Sequence, residues 1–370
     1  MTHHPLIAEV WNQQRTLMAI VEQDSRTAYF YIWPAELFRT QYAVRGCWVR
    51  NLSPAPAQED REALEQGIAP LLSAEYCRTL EAEPPLDANG LQIIWEPGDE
   101  GAALWYYGQL LAVIPGWSLY QQKQISFSAG CIKANRLTSP LGSASTNQHY
   151  ATAVDHRQFW REWQEGPAWD KFQQAMLSHY QSRFGAEVKY YAIDQGNWPP
   201  MAIAQYWHEE VWYFFTLGMS IRPMPQVNHL FDELAPQYRR IEIGMAIDSN
   251  IMTEHSAVQM ASALAEFAPL PWSRLTWIGD CHTLASEMTP QGFTSFLLAQ
   301  DLASEDQRIK LPKNAGDPVK LLWATPITAN EQHFACQDEY GGHQLLKRLR
   351  AEGNSHIFRP RQEVVDASGQ

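Results

Sequence analysis

The sequence predicts an α+β fold of two domains, each a mostly antiparallel sheet with helices packed on one side. The first observation is a series of short apolar and aromatic runs joined by turn residues, such as LMAIV at 17–21 and AYFYIW at 28–33, which is typical of β-hairpins. The second is a smaller number of segments with apolar residues three and four positions apart, which is typical of amphipathic helices. Many strands with a few separate helices indicate an α+β protein.

Residues 1–150 are expected to form an N-terminal α+β domain. Its predicted strands are 17–21, 28–33, 42–49, 91–96, 103–107 and 110–114. A helix is predicted from Asp60 to Leu80, with Asp60 as the N-cap and Pro70 as a break. The stretch 137–148 is rich in Ser, Thr, Gly and Asn, which predicts a linker to the next domain.

Residues 151–355 are expected to form the second domain, and 356–370 a flexible polar tail. Its clearest helix carries Trp169, Phe172, Met176 and Tyr180 on one face and ends at Gly185. Further helices are predicted at 158–164, 256–267 and 342–352. The predicted strands are 201–207, 211–219, 239–247, 274–279, 293–299 and 320–327.

The charge of the chain restricts its partners. With 28 basic and 41 acidic side chains, the formal net charge is −13. Because affinity for nucleic acids rests mainly on Lys and Arg at phosphates, the sequence predicts no nucleic-acid binding. A basic protein surface would be attracted instead. The chain also carries 15 Trp, 15 Tyr and 14 Phe; most are expected in the cores, and the rest on a contact surface.

The cysteines and the apolar segments bear on the compartment. The five cysteines are far apart and form no C-x-x-C pair, which predicts neither a zinc knuckle nor a thioredoxin motif. No charged N-terminal stretch precedes an apolar segment, and no run of eighteen apolar residues occurs. The sequence therefore predicts a cytoplasmic protein with reduced thiols and no membrane contact.

No strong catalytic motif is present. The sequence lacks G-x-G-x-x-G, G-x-x-x-x-G-K-[ST], G-x-S-x-G and H-E-x-x-H, so nucleotide enzymes of the usual kinds are not expected. Accordingly, the prediction is a protein with no catalytic residue, no metal and no cofactor.

The segment Ile-Gly-Asp-Cys-His-Thr at 278–283 raises the question of a thiol nucleophile. If the segment is extended, Cys281 and His282 point to opposite faces and cannot share the direct hydrogen bond that a nucleophile and its base require. A distant histidine, such as His333 or His343, could approach Cys281. A buried structural thiol is the preferred interpretation.

Three acidic loops are candidates for contact with a partner. Glu96, Asp99 and Glu100 lie at a predicted hairpin tip, which is either a solvated turn or a contact point. His208, Glu209 and Glu210 lie between two predicted strands, as a turn or as part of a metal site. Asp338, Glu339 and Tyr340 either begin the last helix, where carboxylates meet the positive dipole end, or form a contact loop. The predicted contact residues are Glu96, Asp99, Glu100, Trp207, Glu209, Glu210, Asp338, Glu339 and Tyr340.

Much of the second half resembles the suppressor of fused domain, over roughly residues 168–352. The resemblance rests on HEEVWYFFTLGMS at 208–220, RRIEIGMAI at 239–247, WIGDCHT at 277–283 and the stretch 321–349 with its P-I-T-x-x-E. The segments CWVRNLSPAP (47–56), ALWYYGQLLAVIPGW (103–117) and YYAIDQGNWPP (190–200) resemble the domain that precedes it in long bacterial members.

This resemblance implies a binding protein. Animal members of the family hold a transcription factor by adding a peptide strand to their sheet. Bacterial members resemble immunity proteins that bind a contact-delivered toxin domain, such as a nuclease, a deaminase or an ADP-ribosyltransferase. The family has no common catalytic residues, so none is assigned here.

The leading hypothesis is therefore a cytoplasmic immunity protein. It would be a monomer when free, would form a 1:1 complex with a basic toxin domain, and would block the active site of the toxin by occlusion. Two alternatives remain open. One is a hydrolase that reverses toxin damage using Cys281, and the other is an adaptor that binds a peptide unrelated to toxins.

Overall fold

The structure, a computed structural model, describes residues 6–120, 125–196 and 198–365. It confirms the α+β prediction. The chain divides into two compact units, of which the first comprises Met1–Glu165 with Trp272–Leu275 and the second Gly166–Pro271 with Thr276–Gln370. Among the described ranges, no helix combines the length and the apolarity needed to span a bilayer.

The first unit contains two sheets. Its strands are β1 (Leu6–Trp11), β2 (Leu17–Gln23), β3 (Thr27–Pro34), β4 (Arg45–Asn51), β5 (Leu91–Trp95), β6 (Ala102–Tyr106), β7 (Gln109–Ile114), β8 (Phe127–Ser128) and β9 (Ser139–Pro140). Its helices are α1 (Arg61–Glu65) and α2 (Gln148–Glu165). Strands β1 to β4 form one sheet and β5 to β9 the other, each in chain order. All neighbours are antiparallel except β8 and β9.

The two sheets of the first unit share one apolar core. Ala19, Phe30 and Cys47 from the first sheet belong to the same buried cluster as Trp95 and Leu104 from the second. These residues occupy alternate positions of their strands, because successive side chains of a strand point to opposite faces. The first unit is thus a two-sheet core, and the prediction of one sheet with helices on one side is wrong for it.

Two predictions of local structure in the first unit are also wrong. The helix expected at 60–80 begins at Arg61, with Asp60 in the N-cap position, but it ends at Glu65, just before Gly67 leaves the helical region with a φ of 68°. The Asp60 carboxylate accepts hydrogen bonds from Arg26 and from the Leu71 N–H and does not cap the helix. The expected linker at 137–148 contains β9 and the fully buried Leu141, so it packs within the unit.

The second unit is organised around an eight-stranded sheet. After residue 166 the strands are β10 (Lys189–Ala192), β11 (Ala202–His208), β12 (Val211–Leu217), β13 (Ile241–Asp248), β14 (Thr283–Ala285), β15 (Ser295–Ala299), β16 (Lys320–Ile327) and β17 (Ile357–Phe358). The helices are α3 (Ala168–Phe184), α4 (Val227–Phe231), α5 (Glu254–Phe267), α7 (Ala329–Ala335) and α8 (Gly341–Ala351). The short helix α6 (Leu270–Arg274) begins in this unit, and its residues from Trp272 onward belong to the first unit.

The order of the main path is β10-β11-β12-β13-β16-β15-β14, and β17 pairs with β13. The β13–β16 and β13–β17 pairs are parallel and the others antiparallel. The strand predicted at 274–279 is not part of this sheet. This segment is irregular, and the next strand along the chain that pairs with the sheet is β14.

The helices of the second unit lie on both faces of the sheet. On one face, Tyr180 of α3 stacks on Phe215 of β12 with ring centroids 4.3 Å apart, and Leu345 of α8 belongs to the same core. On the other face, Phe267 of α5 packs edge-on against Phe296 of β15 at 5.5 Å. The apolar periodicity of a helix shows that one stripe is buried, but it does not show which face of a sheet covers that stripe.

The end of the chain is anchored by a buried ion pair. Thr328 and Glu331 form a capping box at the start of α7, and the buried Glu331 carboxylate also receives both terminal nitrogens of Arg361, at 2.5 and 2.7 Å. Val364 donates its N–H to the same carboxylate. The prediction of a flexible tail at 356–370 is therefore wrong for 356–365, and 366–370 lie outside the described residues.

A buried carboxylate ties the centre of the sheet together. Glu242 of β13 is fully buried and accepts hydrogen bonds from Thr216 Oγ1 at 2.7 Å, Gly218 N at 3.1 Å, and Ser220 N and Oγ at 3.0 and 2.6 Å. Gly218 is required in the bend because its φ is 112°, and a Cβ there would lie 2.5 Å from the Pro200 carbonyl oxygen. Glu242 thus holds the segment after β12 against the neighbouring strand.

We expect Glu242→Ala to destabilise the second unit by at least about 4 kcal/mol, because it leaves buried donors unpaired and opens a cavity. Denaturant unfolding followed by circular dichroism measures this change. Glu287→Ala removes an exposed carboxylate of the same unit and serves as the control, with a change within about 0.5 kcal/mol. An unfolding midpoint of Glu242→Ala equal to that of the control would contradict the role given to Glu242.

Candidate partner-binding surface

The turn between β11 and β12 is confirmed as a tight hairpin turn. His208 pairs with Val211, so Glu209 and Glu210 are the two turn residues, with φ values of 48° and 61°. Two positive φ values in a two-residue loop match the right-handed twist of the flanking strands. The geometry therefore presents both carboxylates outward at the end of the sheet, where both residues are exposed.

An aromatic side chain accompanies these carboxylates. Trp207 is 49% exposed, and its ring centroid lies 6.5 Å from that of Trp212 on the partner strand. Trp207, Glu209 and Glu210 are here called the hairpin tip. A half-exposed indole held by a neighbouring indole gives a large contact area at low entropy cost, and it is bordered by negative charge.

The second predicted loop also lies at the surface. Asp338, Glu339 and Tyr340 connect α7 to α8 and are all exposed, with Tyr340 at 60%. They are here called the acidic turn. Asp338 Oδ1 accepts a hydrogen bond from the Tyr340 N–H at 2.7 Å, so one carboxylate orders the turn while the other side chains remain free to be contacted.

The hairpin tip and the acidic turn do not form a single site. The start of α8 lies against Cys281, which precedes β14 and bonds to Leu298 of β15. Strands β11 and β14 are separated by β12, β13, β16 and β15. Four to five strand spacings of about 4.8 Å place the two surfaces roughly 20 Å apart, so only a large partner reaches both.

The third predicted loop is not a contact surface. Asp99 and Glu100 are only 0% and 8% exposed, and the Glu96 carboxyl is enclosed between Gly101 and Gly116, with Gly116 N–H donating to it at 3.1 Å. The expectation of a solvated hairpin tip at Glu96, Asp99 and Glu100 is wrong, because this turn folds inward and no longer presents its carboxylates to a partner.

A buried arginine accounts for this arrangement. Arg45 of β4 donates to the carbonyl oxygens of Pro115 and Glu100, at 3.0 and 2.6 Å, and to Ser118 Oγ at 3.0 Å. Burial lowers the pKa of Arg45 to about 10, against the charges of Glu96 and Glu100. Burial, and secondarily Glu100, raises the pKa of Glu96 to about 8. The signal that sequence reasoning missed is Arg45, an arginine shortly before the apolar residues Cys47 to Val49 of β4.

The surroundings of Cys281 oppose ionisation of its thiol. Its backbone φ is 65°, so the segment turns, and the thiol meets the Asp280 carboxylate, whereas the His282 ring packs on Trp277 at 4.5 Å. Burial, followed by the Asp280 charge, raises the pKa of Cys281 to about 12. A thiol that stays protonated at neutral pH is a poor nucleophile. Of the histidines named from the sequence, His343 does approach Cys281.

Sequence reasoning also missed a groove in the first unit. It encloses about 270 Å³ and is lined by residues from β1, β5 and α2, including Trp11, Gln92, Arg157 and Trp160. Arg157 lies over the Trp105 ring at 4.5 Å and donates to Gln92 Oε1, so the guanidinium is already engaged. The groove brings together residues far apart in the sequence.

A protein-family model agrees with the resemblance over part of the chain. The model of the suppressor of fused protein (SUFU) family matches residues 197–362, somewhat less than half of the chain. The fold is similar to a solved chain titled "the Sufu-Fu complex crystal structure", with a TM-score of 0.39 and 14% sequence identity over 52% of this chain and 92% of that chain. No curated protein matches.

We expect the first unit to become less stable as the pH rises, because ionisation of the buried Glu96 carboxyl becomes favourable only in the unfolded chain. The pKa of Glu96 is about 8 in the folded protein and about 4.3 in the unfolded chain. The free energy by which the neutral carboxyl favours folding is therefore complete below the unfolded pKa, and it is lost as the pH rises through the folded pKa. Unfolding of wild type and Glu96→Gln, followed by denaturant titration between pH 5 and 8, measures the difference.

The free energy of unfolding of the wild type minus that of Glu96→Gln should fall steadily from pH 5 to pH 8, because the carboxyl ionises and the amide does not. Glu81→Gln changes an exposed carboxylate of the same unit and should follow the wild type at each pH. If Glu96→Gln and wild type keep a constant difference from pH 5 to 8, the Glu96 carboxyl is not held protonated.

Proposed function

We propose that this protein is a non-catalytic binding protein, and specifically an immunity protein that holds a contact-delivered bacterial toxin domain in a 1:1 complex. The match of residues 197–362 to the suppressor of fused family supports a role in protein binding. The choice of a toxin as the partner rests on the resemblance of the sequence to bacterial immunity proteins and on the charge of the chain.

The observation that carries the proposal is the hairpin tip. Trp207 is half exposed although the five residues of β11 that precede it are buried, and Glu209 and Glu210 stand beside it. Interfaces draw most of their free energy from a few aromatic anchors surrounded by a polar rim. Trp207 is the proposed anchor, and the two carboxylates are the rim that faces a basic partner.

The charge of the whole chain supports a cationic partner. A net charge of −13 accelerates encounter with a basic surface and disfavours acidic ones. Toxins that act on nucleic acids or nucleotides, such as nucleases, deaminases and ADP-ribosyltransferases, need positive charge where they bind their substrates. An acidic surface that occupies this position excludes the substrate without any chemistry.

Occlusion sets requirements on the complex. Slow dissociation is needed for protection, and an interface of more than about 1,200 Å² is typical of stable complexes. An interface of this area is wide enough to include both the hairpin tip and the acidic turn. The outer strands β10 and β14 additionally offer backbone groups for strand addition. The proposed site of action is the cytoplasm, and the proposed free state is a monomer.

We expect Trp207→Ala to raise the dissociation constant for the toxin domain by about thirtyfold, which corresponds to a hot-spot loss of about 2 kcal/mol. The probe is the toxin domain encoded beside this protein, and surface plasmon resonance gives both rate constants. Glu209→Lys together with Glu210→Lys should mainly lower the association rate, and less so at high salt.

Glu254→Lys together with Glu287→Lys introduces the same charge change at two exposed positions outside the hairpin tip and is the control for the loss of net negative charge. Tyr340→Ala tests the acidic turn separately. Wild-type affinity in Trp207→Ala and in the double lysine variant would remove the hairpin tip from the interface.

We expect co-expression with this toxin domain to restore growth, and the two proteins to co-purify in equal amounts. In vitro, inhibition should increase in proportion to added protein and end at one molecule per toxin. A hydrolase that uses Cys281 would instead protect at far less than one equivalent, and an adaptor would give no protection and recover only peptide partners unrelated to toxins. Either result would overturn the immunity proposal.

A further inference from the structure

Asp280, Cys281 and His343 bring a carboxylate, a thiol and an imidazole together in the second unit. One ligand atom from each lies within 4.8 Å of the others. We infer that these three side chains form a zinc-binding site, with water in a fourth position. The inference concerns a site outside the hairpin tip and does not depend on the proposed function.

The backbone at Cys281 is shaped so that neighbouring side chains converge. In an extended strand, Asp280 and Cys281 would point to opposite faces. The φ of 65° at Cys281 turns the chain instead, and this conformation is uncommon for a residue with a Cβ. Strain of this kind is concentrated at functional sites, because the surrounding structure must maintain it.

The third ligand reaches the site because a helix begins in contact with the turn. A Cβ on Gly342 would lie 2.1 Å from the Cys281 carbonyl oxygen, so only glycine permits this approach. The next residue, His343, is thereby placed within reach of Asp280 and Cys281. Gly342 at the start of α8 thus permits the contact that places His343 at the site.

The first two ligands are oriented by hydrogen bonds from the sheet. Asp280 Oδ1 accepts from the Gln300 N–H at 2.7 Å, which directs the carboxylate, and the Cys281 N–H donates to the Leu298 carbonyl oxygen at 2.7 Å. Outer contacts of this type fix the direction of metal ligands and raise affinity. The His343 ring, on an exposed residue, is free to rotate toward an ion.

The donor set selects the metal. Thiolate and imidazole ligands favour zinc, whereas magnesium and calcium prefer oxygen ligands. Zinc sites have bonds of about 2.0 to 2.3 Å, so the ligand atoms must close in by about an ångström when the ion binds. The Asp280 carboxylate lies close to the thiol, and a divalent cation would relieve the repulsion between this carboxylate and the thiolate.

Cobalt(II) is the probe that tests this site, because its thiolate complexes absorb in the near ultraviolet. Full-length protein treated with a chelator is titrated with cobalt(II) and then with zinc. We expect one equivalent of cobalt to produce a thiolate-to-cobalt band, and zinc to remove it. Cys281→Ser should abolish the band, and His343→Gln should keep it while weakening binding by about tenfold or more.

Cys336→Ser and His333→Gln are matched controls, since both change exposed residues on or next to α7, and both should bind cobalt as the wild type does. His343→Gln lies at the surface and tests the site even if Cys281→Ser weakens the core to which Cys281 belongs. Absence of the band from the wild type, or its loss in Cys336→Ser and retention in Cys281→Ser, would overturn the inference.

Discussion

The Glu242 carboxylate is the interaction on which the second unit depends most. It joins β13, the strand that pairs with β12, β16 and β17, to the bend that follows β12. Burial raises the pKa of Glu242 to about 7, although the hydrogen bonds from Ser220 and Thr216 oppose this change. A buried carboxyl that is costly to ionise is retained because it satisfies several donors that the bend would otherwise leave unpaired. The register between β12 and β13 therefore follows from polar satisfaction as well as from apolar packing.

The same contacts explain why particular residue types stand in the motifs that resemble the suppressor of fused domain. In the motif T-x-G-M-S at 216–220, the Thr, Gly and Ser donate hydrogen bonds to a glutamate. This glutamate is Glu242, the first residue of the motif E-I-G-M at 242–245. In P-I-T-x-x-E, the Thr and Glu cap α7, and the Glu carboxylate then receives Arg361 from the end of the chain. Each motif thus combines a local geometric requirement with a distant partner.

Prediction succeeded where local pattern decides and failed where a distant residue decides. The hairpin of β2 and β3, the turn at Glu209, and helices α3, α5 and α8 follow from alternation, periodicity and end signals within each segment. The inward fold of Glu96 to Glu100 depends on Arg45, which lies in another strand more than fifty positions earlier. Strand order likewise determines three further features: the helices on both faces of the sheet, the anchored end of the chain, and the approach of His343 to Cys281. Composition and spacing do not encode strand order.

The hairpin tip shows a conflict between folding and local preference. A two-residue turn with positive φ at both positions favours Asn-Gly or Asp-Gly, because other residues pay a steric cost there. Here two glutamates occupy these positions, adjacent to each other and of like charge, beside a tryptophan that is left half exposed. A sequence that only had to form this hairpin would remove all three features. Local rules broken without structural compensation are expected mainly at functional positions, and this supports the hairpin tip as the contact surface more than charge alone does.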